Sequence, residues 1–297
     1  MSFASGSPKS EEVADWTGRG TPVCDLGSLS PGDLHGVMGP RNIERTTVPS
    51  PEDGMGAGLR VEGIRKSFGG LHVFSDVSFT VAPGEVLGII GPNGAGKTTL
   101  INVACGMLRP SAGRVLLEDE DITGRPIHAT SRRGVIRSFQ QTNTFRNATV
   151  RENISRAVRF SRSESNAWKK ISPLVEAFGL EPYLAVQSDK LPYGLQKMLG
   201  LILVCAASPK VLLLDEPAAG LERRERPRID VFVDHVRREF GCAVVIVEHD
   251  MELVRRLCPR ILVLDSGRVL AEGDPAEVLS RKDVIDAYLG AVDEEAR

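Results

Sequence analysis

Continuous apolar runs separated by helical stretches dominate the second half of the chain. Val211–Leu214, Ala243–Val247 and Ile261–Leu264 are short runs of branched side chains, the pattern of strands buried on both faces. Between them, Glu225–Phe240 and Met251–Leu257 carry helical spacing. That alternation predicts a mainly parallel sheet with helices on both faces, an α/β fold. Upstream, Val86–Ile90 is one more apolar run, entered through a Pro83-Gly84 turn. Leu59–Ile64 and Val73–Val81 predict strands, the second alternating apolar and polar, and Arg114–Leu117 and Gly134–Phe139 predict two more. From Val150 to about Phe178 the period turns helical, with Asn153–Val158 and Trp168–Phe178, and Gly194–Ala206 predicts a further helix. These helices, at about 150–207, form an insertion between the two strand clusters. No repeat is apparent.

Residues 1–57 differ from the rest. They are rich in Ser, Gly and Pro, as in Ser28-Leu29-Ser30-Pro31-Gly32, and show no sustained period. They predict a disordered or loosely ordered N-terminal extension. The folded domain then spans 58–290, and 291–297 is left as a C-terminal tail.

Chemistry enters directly after the Val86–Ile90 run. Residues 91–99 read Gly-Pro-Asn-Gly-Ala-Gly-Lys-Thr-Thr, a Gly-x-x-x-x-Gly-Lys-Thr loop between a buried strand and the helix-forming Leu100–Ala104. Residues without Cβ let the backbone wrap a phosphate chain closely. Amides at the helix start, aided by the helix dipole, face the anion. Gly91, Asn93, Gly94, Ala95, Gly96, Lys97, Thr98 and Thr99 are therefore the candidate triphosphate cradle. Lys97 supplies a mobile cation for the β- and γ-phosphates, and Thr98 a hydroxyl for Mg²⁺.

The totals narrow the setting. The 297 residues carry a net charge of −2, so no global basic field argues for nucleic acid. Cys24, Cys105, Cys205, Cys242 and Cys258 have no Cys-x-x-Cys or metal spacing and read as buried free thiols in a reducing cytosol. No apolar run approaches the roughly 20 residues of a membrane span, and no signal peptide is visible. The expected chain is cytosolic and works at a membrane only by docking onto something that spans it.

Val211-Leu212-Leu213-Leu214-Asp215-Glu216 ends an apolar strand in two carboxylates, at the edge where open parallel sheets bind ligands. Asp215 is placed to hold Mg²⁺ through water, and Glu216 to orient or deprotonate the attacking water. Three further residues are each open to two roles. Phe68 stacks on adenine or fills the core. Gln140 reaches Mg²⁺ and the attacking water or is a surface amide. His249, after the run Ala243–Val247, contacts the γ-phosphate or is structural.

Phe68, the loop 91–99, Gln140 with Phe145 and Thr149–Asn153, Leu191–Gln196, Asp215-Glu216-Pro217, Gly220-Leu221-Glu222 and His249 occur in an order and at spacings that resemble the nucleotide-binding subunit of ABC transporters. The resemblance covers about 57–290. Arg137-Ser138-Phe139-Gln140 with Phe145-Arg146, Leu191–Gly194 with Ala218–Leu221, and Glu248–Met251 with the stretch Val284–Gly290 are similar to the branched-chain amino acid uptake group. The lipopolysaccharide-export ATPases are similar too, particularly toward the C-terminus.

The resemblance implies a P-loop NTPase core with an antiparallel β subdomain and an inserted helical subdomain. It implies an ATPase that uses ATP and Mg²⁺, with Lys97, Gln140, Glu216 and His249 catalytic and Thr98, Gln140 and Asp215 on the metal. It also implies a dimer around two ATP molecules, each held by one chain's phosphate loop and by Tyr193 and Gly194 in the other's signature loop. The second subunit is identical or related. Membrane permease subunits are the direct partners, an extracellular substrate-binding protein is an indirect one, and the chain sits peripherally on the cytoplasmic face of the cell membrane. Three departures from the family pattern stand out. Pro192 removes a hydroxyl and an N–H from the signature. Leu201-Ile202-Leu203-Val204 replaces Ile-Ala-Arg-Ala and its arginine, and Glu222 replaces Asp or Asn. Pro192 and the missing arginine motivate one rival reading, a weakly hydrolytic regulatory or docking subunit. Another keeps the motor and changes the cargo to urea, short amides or lipid.

Overall fold

Two strands, β1 (Leu59–Phe68) and β2 (Leu71–Val81), open the fold as an antiparallel pair joined through Gly69-Gly70. They begin a computed structural model that describes residues 58–138, 144–159 and 164–295. The predicted extension at 1–57 and the candidate Gln140 lie outside the described residues. The strand β4 (Ala112–Leu117) pairs antiparallel with β1, and the short β5 (Glu120–Asp121) completes a four-stranded sheet ordered β2-β1-β4-β5. The polar–apolar alternation of β2 buries Phe74, Val77, Phe79 and Val81 and leaves Ser75, Asp76 and Ser78 exposed.

The second sheet has six strands. They are β3 (Val86–Ile90), β6 (Val135–Arg137), β7 (Val211–Asp215), β8 (Ala243–Val247), β9 (Arg260–Asp265) and β10 (Arg268–Gly273), in the order β10-β9-β3-β8-β7-β6. All neighbours are parallel except β10, which folds back on β9. Every residue of β3, β7 and β8 is buried, as their unbroken apolar runs require of strands covered on both faces. The fold is thus the α/β core with an antiparallel sheet beside it that the resemblance implies.

Helix α1 (Lys97–Ala104) follows β3, and α2 (Ile127–Arg133) precedes β6. Between β6 and β7 lie α3 (Val150–Arg159), α4 (Glu164–Ala177) and α5 (Tyr193–Ala206), which pack on one another. The start of α3 is dictated locally. The Thr149 hydroxyl accepts from the Glu152 amide at 3.2 Å while the Glu152 carboxylate accepts from the Thr149 amide at 2.8 Å, a reciprocal cap. Asn153, 1% exposed, donates to the carbonyls of Phe145, Ala148 and Thr149 and so fixes the approach to that helix.

The later helices are α6 (Pro227–Phe240), α7 (Met251–Leu257), α8 (Pro275–Val278) and α9 (Lys282–Glu295). Helix α6 starts at Pro227 and not at Glu225, because proline fits the first helical position, where its missing N–H has no partner to lose. The strand expected over Gly134–Phe139 is shorter, ending at Arg137. Helix α9 overruns the boundary set at 290. Gly290 inside it costs about 1 kcal/mol relative to alanine, which does not stop a helix with no proline beyond it. Among the described residues no helix is long and apolar enough to cross a membrane. Cys105, Cys205, Cys242 and Cys258 are free and buried, and burial pushes their thiols up.

The hairpin β9–β10 meets β2 at a seam. Ser266 and Gly267 turn with φ of 45° and 74°, and the Gly267 carbonyl accepts from the Ser75 amide at 3.1 Å. A Cβ on Gly267 would sit 2.0 Å from the Val73 carbonyl oxygen. Gly267→Ala therefore forces the two sheets apart there. We expect it to cost about 2–3 kcal/mol, read in calorimetry as a melting point lower by about 4–10 °C.

Candidate functional site

Parallel pairing sets the site. β3, β7 and β8 run side by side, with Val86 opposite Val244 and Asp215 opposite Val247. Their C-terminal ends deliver the 91–99 loop, the Asp215-Glu216 pair and Glu248-His249 to one edge of the sheet.

The loop leaves β3 with φ of 150°, 80° and 99° at Gly91, Gly94 and Gly96. At Gly96 the Phe74 ring comes so close that a Cβ would sit 2.6 Å from it, so glycine is needed for space as well as for φ. Gly96 is also the cap of α1, with no side chain accepting from the helix and no acid in its first turn. The leading amides of α1 are thereby left to an anion. Lys97 folds back over the loop, its ammonium donating to the carbonyls of Gly91 at 2.7 Å and Pro92 at 2.9 Å. Burial lowers its pKa, and the fields of Glu216 and Asp215 oppose that shift. Asn93, Gly94 and Thr98 are exposed, Thr99 is half-buried and Ala95 is buried. The cradle faces solvent with its hydroxyl at Thr98 uncovered.

Asp215 is 2% exposed. Its Oδ2 accepts from the Arg137 guanidinium at 2.7 Å, across the neighbouring strand β6. Arg137 also donates to Asn102 Oδ1 and, at 3.1 Å, to Met107 Sδ, which ties β6 to α1 and the segment after it. The other oxygen of Asp215, Oδ1, is buried and has no hydrogen-bond partner among the described residues. An acceptor orphaned beside the cradle, with the Thr98 hydroxyl uncovered, fits a hydrated hard cation that keeps most of its water and takes few protein ligands.

Glu216 takes φ of 48°, rare for a residue with a side chain and costing about 1–3 kcal/mol. Its amide donates to Val247 O at 2.9 Å, one step beyond the β7–β8 ladder. Its carboxylate stands 3.7 Å from His249 Nδ1, and His249 is itself well exposed. Lys97, Thr98, Asp215, Glu216 and His249 are thus gathered at one edge. Phe68 is 46% exposed at the end of β1, with the Lys66 ammonium 4.6 Å over its ring, so it does not fill the core.

The signature residues sit at the start of α5 with Pro192 as cap. Tyr193, 50% exposed, lies over Gly220, where a Cβ would be 2.9 Å from its ring. Gly194 lies against Glu225, whose Oε1 would be 2.0 Å from a Cβ there. These contacts run to the segment that follows β7.

Four residues escaped the sequence reading of the site. Arg137 passed only as part of a resemblance, although an arginine after Val135-Ile136 in a strand signals a buried partner. Lys197 sits among Leu195, Met198 and Leu199 on an apolar helix face and is 5% exposed. Glu248, 1% exposed, accepts from the Ala218 amide at 3.0 Å and the His249 amide at 3.2 Å. Tyr288 on α9 buries its hydroxyl near the Gly91 amide, and burial pushes the phenol up to about 12.

Comparison with known proteins matches residues 74–219 to the family described as ABC transporter and residues 268–294 to the one described as branched-chain amino acid ATP-binding cassette transporter. The chain is 36% identical over 248 residues to the high-affinity branched-chain amino acid transport ATP-binding protein LivG of Escherichia coli strain K12, across 78% of this chain and 97% of that protein. It is 33% identical to the lipopolysaccharide export system ATP-binding protein LptB of the same strain, across 79% and 98%. A crystal structure of an ATP-binding cassette of an ABC transporter in its ADP conformation superposes with a TM-score of 0.70 at 29% identity, covering 79% of this chain and 99% of that one.

Arg137 and Asp215 form a pair with side chains 8% and 1% exposed. Removing one partner of such a pair leaves a bare charge in the interior. Arg137→Met is expected to lower unfolding free energy by about 3–5 kcal/mol, measured as a reduced denaturant midpoint with an unchanged slope.

Proposed function

We propose that this chain, which belongs to the ABC transporter family, is the ATP-hydrolysing subunit that drives import of branched-chain amino acids through a membrane permease. One observation carries the hydrolytic part: Glu216, Asp215, His249 and the 91–99 cradle converge at a single sheet edge. The match of 268–294 to the branched-chain family and the higher identity to LivG than to LptB support the cargo.

The steps follow from the residues. Amides of Gly94 through Thr99 bind the phosphates, and Lys97 exchanges its two loop carbonyls for phosphate oxygens. Phe68 offers its exposed ring to the adenine. Glu216 orients a water and takes its proton as the water attacks the γ-phosphorus, whose bond to the bridging oxygen breaks so that ADP leaves. His249, beside Glu216, donates to the γ-phosphate and registers its presence. Thr98, Asp215 through water, and Gln140 would hold Mg²⁺, which when bound neutralises charge developing on the phosphates. Tyr193 and Gly194 present the start of α5 to the nucleotide of a second subunit, identical or related. That arrangement closes a dimer around two ATP molecules, and hydrolysis reopens it. The chain works peripherally on the cytoplasmic face of the membrane, with the extracellular substrate-binding protein reached only through the permease.

Glu216→Gln removes the base and leaves the cradle intact. Hydrolysis is expected to fall on the order of 10²–10⁴-fold, while ATP shifts the variant from monomer to dimer in light scattering. Normal turnover in that variant refutes the role of Glu216. Uptake of labelled leucine, isoleucine and valine by cells lacking this chain tests the cargo, and undiminished uptake refutes it.

A further inference from the structure

We propose that Lys197 and Glu248 form a buried clamp that sets the position of the Glu216 carboxylate. Neither residue belongs to the phosphate cradle, and the proposal rests on Glu216 acting as the base. Glu216 is held in a left-handed backbone conformation, φ 48°, which a residue with a side chain keeps only when its surroundings over-determine it. The turn Glu216-Pro217-Ala218-Ala219 has one internal bond, from the Ala219 amide to the Glu216 carbonyl at 3.1 Å. The Glu216 amide is tied to the Val247 carbonyl at 2.9 Å, and two buried ionic side chains add further restraint to the turn.

The Lys197 ammonium donates to the carbonyl of Glu216 at 3.3 Å and to that of Ala219 at 2.5 Å, gripping both ends of the turn. The Glu248 carboxylate accepts from the Ala218 amide between them at 3.0 Å, and its other oxygen accepts from the His249 amide at 3.2 Å. Lys197 and Glu248 are 5% and 1% exposed, so water does not compete for these bonds. Burial lowers the pKa of Lys197, and the fields of Glu248 and Glu216 act to keep its charge. Three elements therefore fix one turn: α5 through Lys197, the end of β8 through Glu248, and β7 by connection. Lys197 also stands four residues after Tyr193 on the helix that opens with the signature loop. The same helix that meets the second subunit's nucleotide thus holds this subunit's base, and Lys197 is a positioning residue.

The experiment uses the full chain with Mg-ATP. Lys197→Met keeps length and removes the donor. It is expected to lower kcat at least 10-fold with KM and the affinity for a fluorescent ATP analogue within twofold of wild type, and Lys197→Arg recovers most of the rate. Hydrogen exchange in Lys197→Met rises at 215–221 and stays unchanged at 86–104. In a Glu216→Gln background the lysine substitution lowers the rate no further. A kcat within twofold of wild type in Lys197→Met, while Glu216→Gln is inactive, overturns the clamp and leaves the base in place. Normal turnover in Glu216→Gln overturns the base itself. Exchange that rises across the whole chain, or loss of nucleotide binding, shows Lys197 serving the fold at large and also overturns the proposal.

Discussion

The bond from the Glu216 amide to the Val247 carbonyl, 2.9 Å long, continues the parallel pairing of β7 with β8 past the last apolar residue. Everything charged at the site depends on that continuation. Four buried apolar residues in β7 and five in β8 give the register no freedom, because a slip of one residue would turn each strand's side chains to the other face. Asp215 is then held opposite Val247, Glu216 emerges beside Glu248 and His249, and the phosphate loop arrives on β3 next to them. Hydrophobic pairing is non-directional in energy but exact in register, and that register is how a sheet with no chemistry of its own sets out charged groups.

Charge balance is the second constraint. Asp215, Glu216 and Glu248 crowd one edge, and each has a cation or main-chain dipole assigned to it. Asp215 has Arg137, Glu248 has the amides of Ala218 and His249, and Glu216 has the fields of Lys97 and Lys197. Lys97 bonds two carbonyls of its own loop, which opens to solvent, whereas Lys197, also on two carbonyls, is buried. Phosphate oxygens would outcompete neutral carbonyls for an ammonium, so the proposed binding would move Lys97 without breaking a buried ion pair. Arg137 cannot move so cheaply, as it bridges Asp215, Asn102 and Met107.

Strands buried on both faces and the Gly-rich loop were legible in the residues, because each rests on a local pattern: an unbroken apolar run, or glycines at fixed offsets ahead of a lysine. Strand β8 and helix α7 fall at Ala243–Val247 and Met251–Leu257 as expected. The hairpin partner β10 went unread, since its residues gain a strand identity only from pairing across the Ser266-Gly267 turn. Lys197, Arg137 and Glu248 were illegible as site residues for a similar reason. A charged side chain in an apolar segment announces that it must find a partner, but the partner is set by tertiary contact and lies 19 to 78 positions away in the chain.

Pro192 reads differently in space than in sequence. As a replacement for a serine it removes a hydroxyl and an N–H from the loop. At the cap of α5 those losses are limited, because the first amides of a helix have no intrahelical partner in any case. Its carbonyl still accepts from the Gln196 amide at 3.0 Å, and the Gln196 side chain returns to the Leu191 carbonyl at 2.8 Å, so the turn is closed from inside the helix. The rigid φ of proline then presents the leading amides of α5 in one direction. What the loop loses in donors it regains in fixed geometry. Its neighbours Tyr193 and Gly194 already rest on Gly220 and Glu225, which ties that geometry to the segment following β7.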